Sequence, residues 1–149
     1  MRSAAIAIAA LALFTACHST TGPSSTSSQA TSLSGTWVGD LIVLGQTARM
    51  TWTLTQSNTS VSGPVLVSLS NGVVLLNGSL NGTLADPTLT YTITIGPGGI
   101  PAQPSCTGQL GGTMTVMVGA VSTLTGTFSV ASSTCPSPFP GGTFTLTKQ

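Results

Sequence analysis

A chain of 149 residues has room for one modest domain, and only 3% of these residues are charged while 40% are hydrophobic. Beyond Arg2 the charges are Asp40, Arg49, Asp86 and Lys148, which cancel, so there is no basic surface to neutralise phosphates and nucleic-acid partners are excluded. Polarity comes instead from 26 Thr and 20 Ser, and past the N-terminal segment no apolar run approaches the ~20 residues of a spanning helix.

The first residues follow the order of a secretory signal: Arg2 is the positive n-region, Ala4 to Phe14 an apolar h-region, and small residues come next. Phe14-Thr15-Ala16-Cys17 resembles the lipobox of bacterial lipoproteins, with Phe14 standing where an aliphatic residue is usual. The resemblance implies that residues 1–16 are removed and that the Cys17 thiol carries palmitate-type acyl chains as the mature N-terminus. It further implies an exported domain anchored in a bacterial membrane, the outer membrane being the expected one, on its periplasmic or surface face. Ordinary signal cleavage nearby is the alternative.

Residues 17–33 then read as a flexible tether, rich in Ser, Thr, Gly and Pro and without apolar periodicity. A coil of this length spans about 20 Å. His18, the sole histidine, sits beside the acylation site and reads as a solvated tether residue, not a ligand or base.

From residue 34 to 149 the dominant period is two. Met50, Trp52 and Leu54 alternate with Thr51, Thr53 and Thr55; Leu89, Tyr91, Ile93 and Ile95 alternate with Thr88, Thr90, Thr92 and Thr94. The same pattern opposes Leu124, Phe128 and Val130 to Thr123, Thr125, Thr127 and Ser129, and Phe144 and Leu146 to Thr143, Thr145 and Thr147. Turn signals divide the stretch into eight strands at about 36–44, 47–56, 60–69, 73–84, 88–95, 107–118, 122–130 and 142–148. Gly78 and Gly82 leave open a bulge or a short hairpin within the fourth.

Short connections favour neighbour-to-neighbour pairing, and a domain with almost no charge cannot protect sheet edges electrostatically, so closure into an eight-stranded up-and-down antiparallel barrel is expected. An immunoglobulin-like β-sandwich and an eight-stranded membrane barrel are the alternatives, the latter disfavoured by an aromatic content of 5%. Gly35-Thr36-Trp37 resembles the G-x-W that opens the first strand of the calycins, the group of lipocalin, fatty-acid-binding and avidin barrels. The resemblance implies that Trp37 packs against a basic side chain of the last strand, for which Lys148 is the candidate although Arg is usual in the group. Such a barrel-closure pair would form a cation–π contact of about 0.5–2 kcal/mol.

With Cys17 acylated, Cys106 and Cys135 are an even pair in an oxidising compartment. The barrel order brings their loops to one end, so a structural disulfide is expected; a redox or metal pair lacks a C-x-x-C spacing and a nearby His or carboxylate. No cofactor and no metal are implied. Catalysis is not expected either, since the domain has no His or Glu, its two Asp lie on different strand ends, and no Ser has a His base.

Two functions stay open. One is a binding module for a small, mostly apolar ligand, with Trp52, Tyr91 and Phe128 as candidate ligand contacts among inward residues that also include Val65 and Leu80. The other is a structural or protein-interaction domain of the cell envelope, in which the same residues are a filled core and the long loops meet a protein partner.

Overall fold

Alternation of Thr with apolar residues sends every second side chain to the same face of a strand, and all eight expected strands form. In the computed structural model, which describes residues 31–43, 46–136 and 141–149, they are β1 (Gly35–Val43), β2 (Gln46–Ser57), β3 (Ser60–Leu69), β4 (Val74–Ala85), β5 (Thr88–Ile95), β6 (Gly108–Met117), β7 (Thr123–Ser133) and β8 (Gly142–Lys148). The signal segment, Cys17, His18 and most of the tether lie outside the described residues.

Each strand pairs antiparallel with the next, and β1 pairs with β8 to close an eight-stranded barrel. Closure displaces the sandwich alternative. The faces are also the reverse of a membrane barrel, which turns an apolar band outward. Along β5, Leu89, Tyr91, Ile93 and Ile95 are buried inside while Thr88, Thr90, Thr92 and Thr94 are exposed outside. Outward hydroxyls face one another across β7 and β8 at Thr123↔Thr147, Thr125↔Thr145 and Thr127↔Thr143.

Tight turns at 58–59, 86–87 and 118–122 join strands at the end where the chain enters, and Asn58 takes the left-handed conformation that an Asn tolerates in the first of them. The long 96–107 loop and the β7–β8 connection lie at the opposite end, the loop end. Gly78 and Gly82 lie within one continuous β4, so no hairpin forms there. A Cβ at either position would crowd a carbonyl of β5, at Thr94 and Thr90 respectively; glycine lets the sheet curve closely. Gly63-Pro64 interrupts the β2–β3 ladder, whose register pairs skip Thr53 and Leu54.

The β1–β8 seam is the shortest ladder of the barrel, with Trp37↔Lys148 and Val38↔Thr147 its two register pairs. Gly39 makes it possible: a Cβ there would overlap the Thr145 carbonyl oxygen and press on Leu146. Gly39→Ala should cost about 1–3 kcal/mol by overpacking, and faster amide hydrogen exchange concentrated in β1 and β8 would show that the seam is what yields. A loss spread evenly over all strands would refute that account.

The entry end is packed solid. Leu33, Trp37, Val61, Leu80, Leu89, Met114, Leu124 and Leu146 are each at most 2% exposed. Residues 31–33, assigned to the tether by their composition, belong structurally to the barrel. Leu33 is fully buried; its N–H donates to Gln56 Oε1 at 2.7 Å and its carbonyl accepts from Trp37 Nε1 at 2.8 Å. Gln56 Nε2 donates to the Thr31 carbonyl at 3.1 Å, and Thr31 Oγ1 lies 3.0 Å from both Asp86 carboxylate oxygens. A short peptide thus caps the bottom of the barrel. An apolar residue and a partnered amide outweigh the conformational freedom that a Ser/Thr-rich composition implies.

Candidate functional site

The loop-end half of the barrel is built differently. Where the entry-end half fills its interior, β1, β3 and β4 here contribute Leu41, Val65, Val67, Leu75 and Leu76 around an apolar cavity of about 120 Å³. Trp52, Tyr91, Phe128 and Phe144 supply its aromatic wall, each from a different strand. These four rings touch in sequence. Trp52 meets Tyr91 edge-on at 5.3 Å between centroids and Phe144 at 5.2 Å, and Phe144 reaches Phe128 at 6.3 Å. Such offset and edge-to-face contacts stabilise beyond the area they bury and hold the wall in one arrangement.

The structure therefore brings the three candidate ligand contacts, Trp52, Tyr91 and Phe128, to one cavity, and adds Phe144, which sequence reasoning placed inward without marking it as a contact. Leu80, also an inward candidate, belongs to the filled half. Phe128 is half-buried because it leans over Gly142, the residue it pairs with across β7 and β8; a Cβ on Gly142 would strike its ring. An aromatic ring laid over a glycine shields the bare backbone and fixes the ring at the rim.

The cavity opens at the loop end. Leu41, Leu75, Leu110 and Phe128 are partly exposed along its lining, and Ile42 is 78% exposed at the mouth. One side of that end is covered by the 96–107 loop, which buries Ile100 and Cys106 and is fastened to β4 by an Asn77 N–H to Gly99 carbonyl bond of 2.7 Å. Cys106 is disulfide-bonded to Cys135, with Cα atoms 5.0 Å apart. Beside that bridge Thr107 and Thr134 exchange hydrogen bonds, Thr134 N–H donating to the Thr107 carbonyl and Thr107 N–H to the Thr134 side-chain Oγ1, both at 2.9 Å. Covalent and hydrogen bonds frame the rim on this side.

Among the described residues no charged side chain lines the cavity. The titratable group among the described lining residues is the Tyr91 phenol, which donates to the Thr127 carbonyl at 3.0 Å and is held above its ordinary range by burial. The Trp52 indole N–H is buried without a hydrogen-bond partner among the described residues, within an aromatic surround. Because the folded phenol resists ionisation, it stabilises the fold fully below the unfolded tyrosine value of about 10 and progressively less above it. Unfolding free energy should therefore fall as pH rises above about 10, with a smaller slope in Tyr91→Phe. Tyr91 is the sole tyrosine, so phenolate absorbance reads it alone; equal slopes in the two proteins would refute the assignment.

At the entry end, Lys148 Nζ stands 5.5 Å from the Trp37 ring centroid and donates to the Ser32 carbonyl at 3.1 Å. The Trp37 ring and the last-strand cation thus meet across the seam, which is compatible with a calycin-like barrel. Compared with protein-family models and with curated proteins, the chain matches none.

Proposed function

We propose that this chain is an exported lipoprotein whose calycin-like barrel holds a small, mostly apolar molecule at its loop end. The observation that carries the reading is the difference between the two halves of one barrel: the entry end is filled, while the loop end keeps an open cavity walled by Trp52, Tyr91, Phe128 and Phe144. A domain serving only as a packed scaffold has no reason to leave that apolar space unfilled at its mouth, since vacant volume forfeits dispersion contacts.

Size and polarity limit the occupant. Apolar cavities of about 150 Å³ take benzene, so this one suits a single ring or a short branched chain, with any longer part of the molecule passing between Ile42 and Phe128 into solvent. A charged group has no partner inside and would stay at the mouth. The Tyr91 oxygen keeps acceptor capacity after donating to Thr127 and suits a ligand hydroxyl or N–H.

Toluene and benzyl alcohol are suitable probes. Both should raise the melting temperature of the barrel, whereas Val67→Phe, which fills the cavity from its wall, should remove the response while retaining the fold by circular dichroism. A second variant, Leu76→Phe, guards against local misfolding of the first. If neither probe stabilises the protein, and native mass spectrometry of material from its own envelope shows no bound small molecule, the binding reading fails. The envelope-interaction reading then stands in its place.

A further inference from the structure

Three large apolar residues are exposed together where β6 ends and the β6–β7 connection begins: Met117, Val118 and Val121 at 62%, 67% and 63%. Only Gly119 and Ala120 separate them, and no charged residue occurs between Asp86 and Lys148. The exposed Ile42, near the end of β1, and Val73, just before β4, lie at the opposite end and apart from each other in sequence. Scattered apolar residues on a surface need no explanation, but a contiguous uncharged tip does.

Position supplies the explanation. The β6–β7 turn is at the entry end, and it shares two neighbours with the peptide that leads back to Cys17. Val116 N–H donates to the Pro87 carbonyl at 2.8 Å, beside the Asp86 carboxylate that holds Thr31. Lys148 N–H donates to the Ser122 carbonyl at 3.0 Å, while its ammonium group holds Ser32. Residues 17–30 have the Ser/Thr/Gly/Pro-rich composition of a tether, for which a reach of about 20 Å is expected. A lipid on Cys17 therefore keeps this end of the barrel within reach of the bilayer.

We propose that Met117, Val118 and Val121 form a membrane-contacting tip that seats the entry end of the barrel on the bilayer holding the Cys17 lipid. This rests on the lipoprotein part of the reading above and is independent of the cavity. The tip enters the interfacial region, where short apolar segments bury a few ångströms deep. Having no charge, it makes the same contact with neutral and anionic lipid. Seated in this way, the barrel turns its cavity mouth away from the membrane.

The test uses the full processed lipoprotein in phosphatidylcholine vesicles, carrying Val118→Cys labelled with an environment-sensitive nitrobenzoxadiazole dye. With Cys106 and Cys135 bonded and Cys17 acylated, the introduced thiol is the one labelled. The expected result is a blue shift and loss of about half the emission to lipid spin-labelled near the headgroup, repeated in vesicles containing phosphatidylglycerol. The same dye at Val73→Cys should show neither effect. Intact mass of the same sample reads acylation of Cys17. An unacylated Cys17 overturns the lipoprotein reading and this proposal with it; an acylated protein with the Val118 label unquenched overturns this proposal alone. Quenching that requires anionic lipid, or burial of the label only when other envelope proteins are present, also overturns it.

Discussion

Trp37→Ala should destabilise the barrel by about 3–5 kcal/mol, the largest loss expected from any single truncation at the entry end. Trp37 is 1% exposed, closes the floor of the core, and donates its indole N–H to the Leu33 carbonyl. Its removal leaves a cavity and strands that carbonyl, so the cap formed by residues 31–33 should loosen with it. Lys148→Ala should cost less, near 1 kcal/mol, for the cation–π contact and the packing of its stem. Because the two side chains touch, their effects should not add; a double-mutant cycle in urea should return a coupling of at least about 0.5 kcal/mol. Additive costs would mean that the seam closes by backbone pairing alone, and the strongest tie to the calycin pattern would be gone.

Replacing Cys106 and Cys135 together by Ala should cost about 3.5 kcal/mol, the chain-entropy value for a sequence separation of 29. In a barrel of this size that is a large part of the whole stability. The loss should act mainly through the unfolded chain, because the hydrogen bonds between Thr107 and Thr134 still register β6 against β7 when the bridge is absent. Urea midpoints of the oxidised protein and the double variant give the difference, and probe-induced stabilisation at the cavity should survive it. A cost below about 1 kcal/mol would show that the native loops, not the bridge, confine the two strand ends.

Most of the architecture was legible because Thr and apolar residues alternate almost without interruption in β2, β5 and β8. Boundaries there agree with the pattern to within a residue. β7 runs on to Ser133 where the alternation appeared to stop at Val130, since Ala131-Ser132-Ser133 carries no large residue to mark a face. A register shift between Gln109 and Leu110 in the facing β6 absorbs this extension. The capping role of Leu33 was hidden for the opposite reason: one apolar residue in a Ser/Thr-rich run has no period, and its partner Gln56 is remote in sequence. Trp52, Tyr91 and Phe128 could be recognised as inward but not as the wall of a space. Whether inward residues fill a barrel depends on how eight strands tilt and stagger, which alternation along any one strand does not encode.

The hydroxyl-covered outer wall has a consequence for the surroundings this protein can tolerate. Proteins usually remain dispersed through charge, and their solubility and surface interactions shift as salt screens that charge. Here four opposed charges leave nothing to screen, and water is held instead by rows of threonine hydroxyls that neither titrate nor attract counterions. The barrel should behave alike in dilute and in concentrated salt, and across the mildly acidic to mildly alkaline range. That indifference makes the working conditions of the barrel independent of the salt and mild pH changes of the water around it.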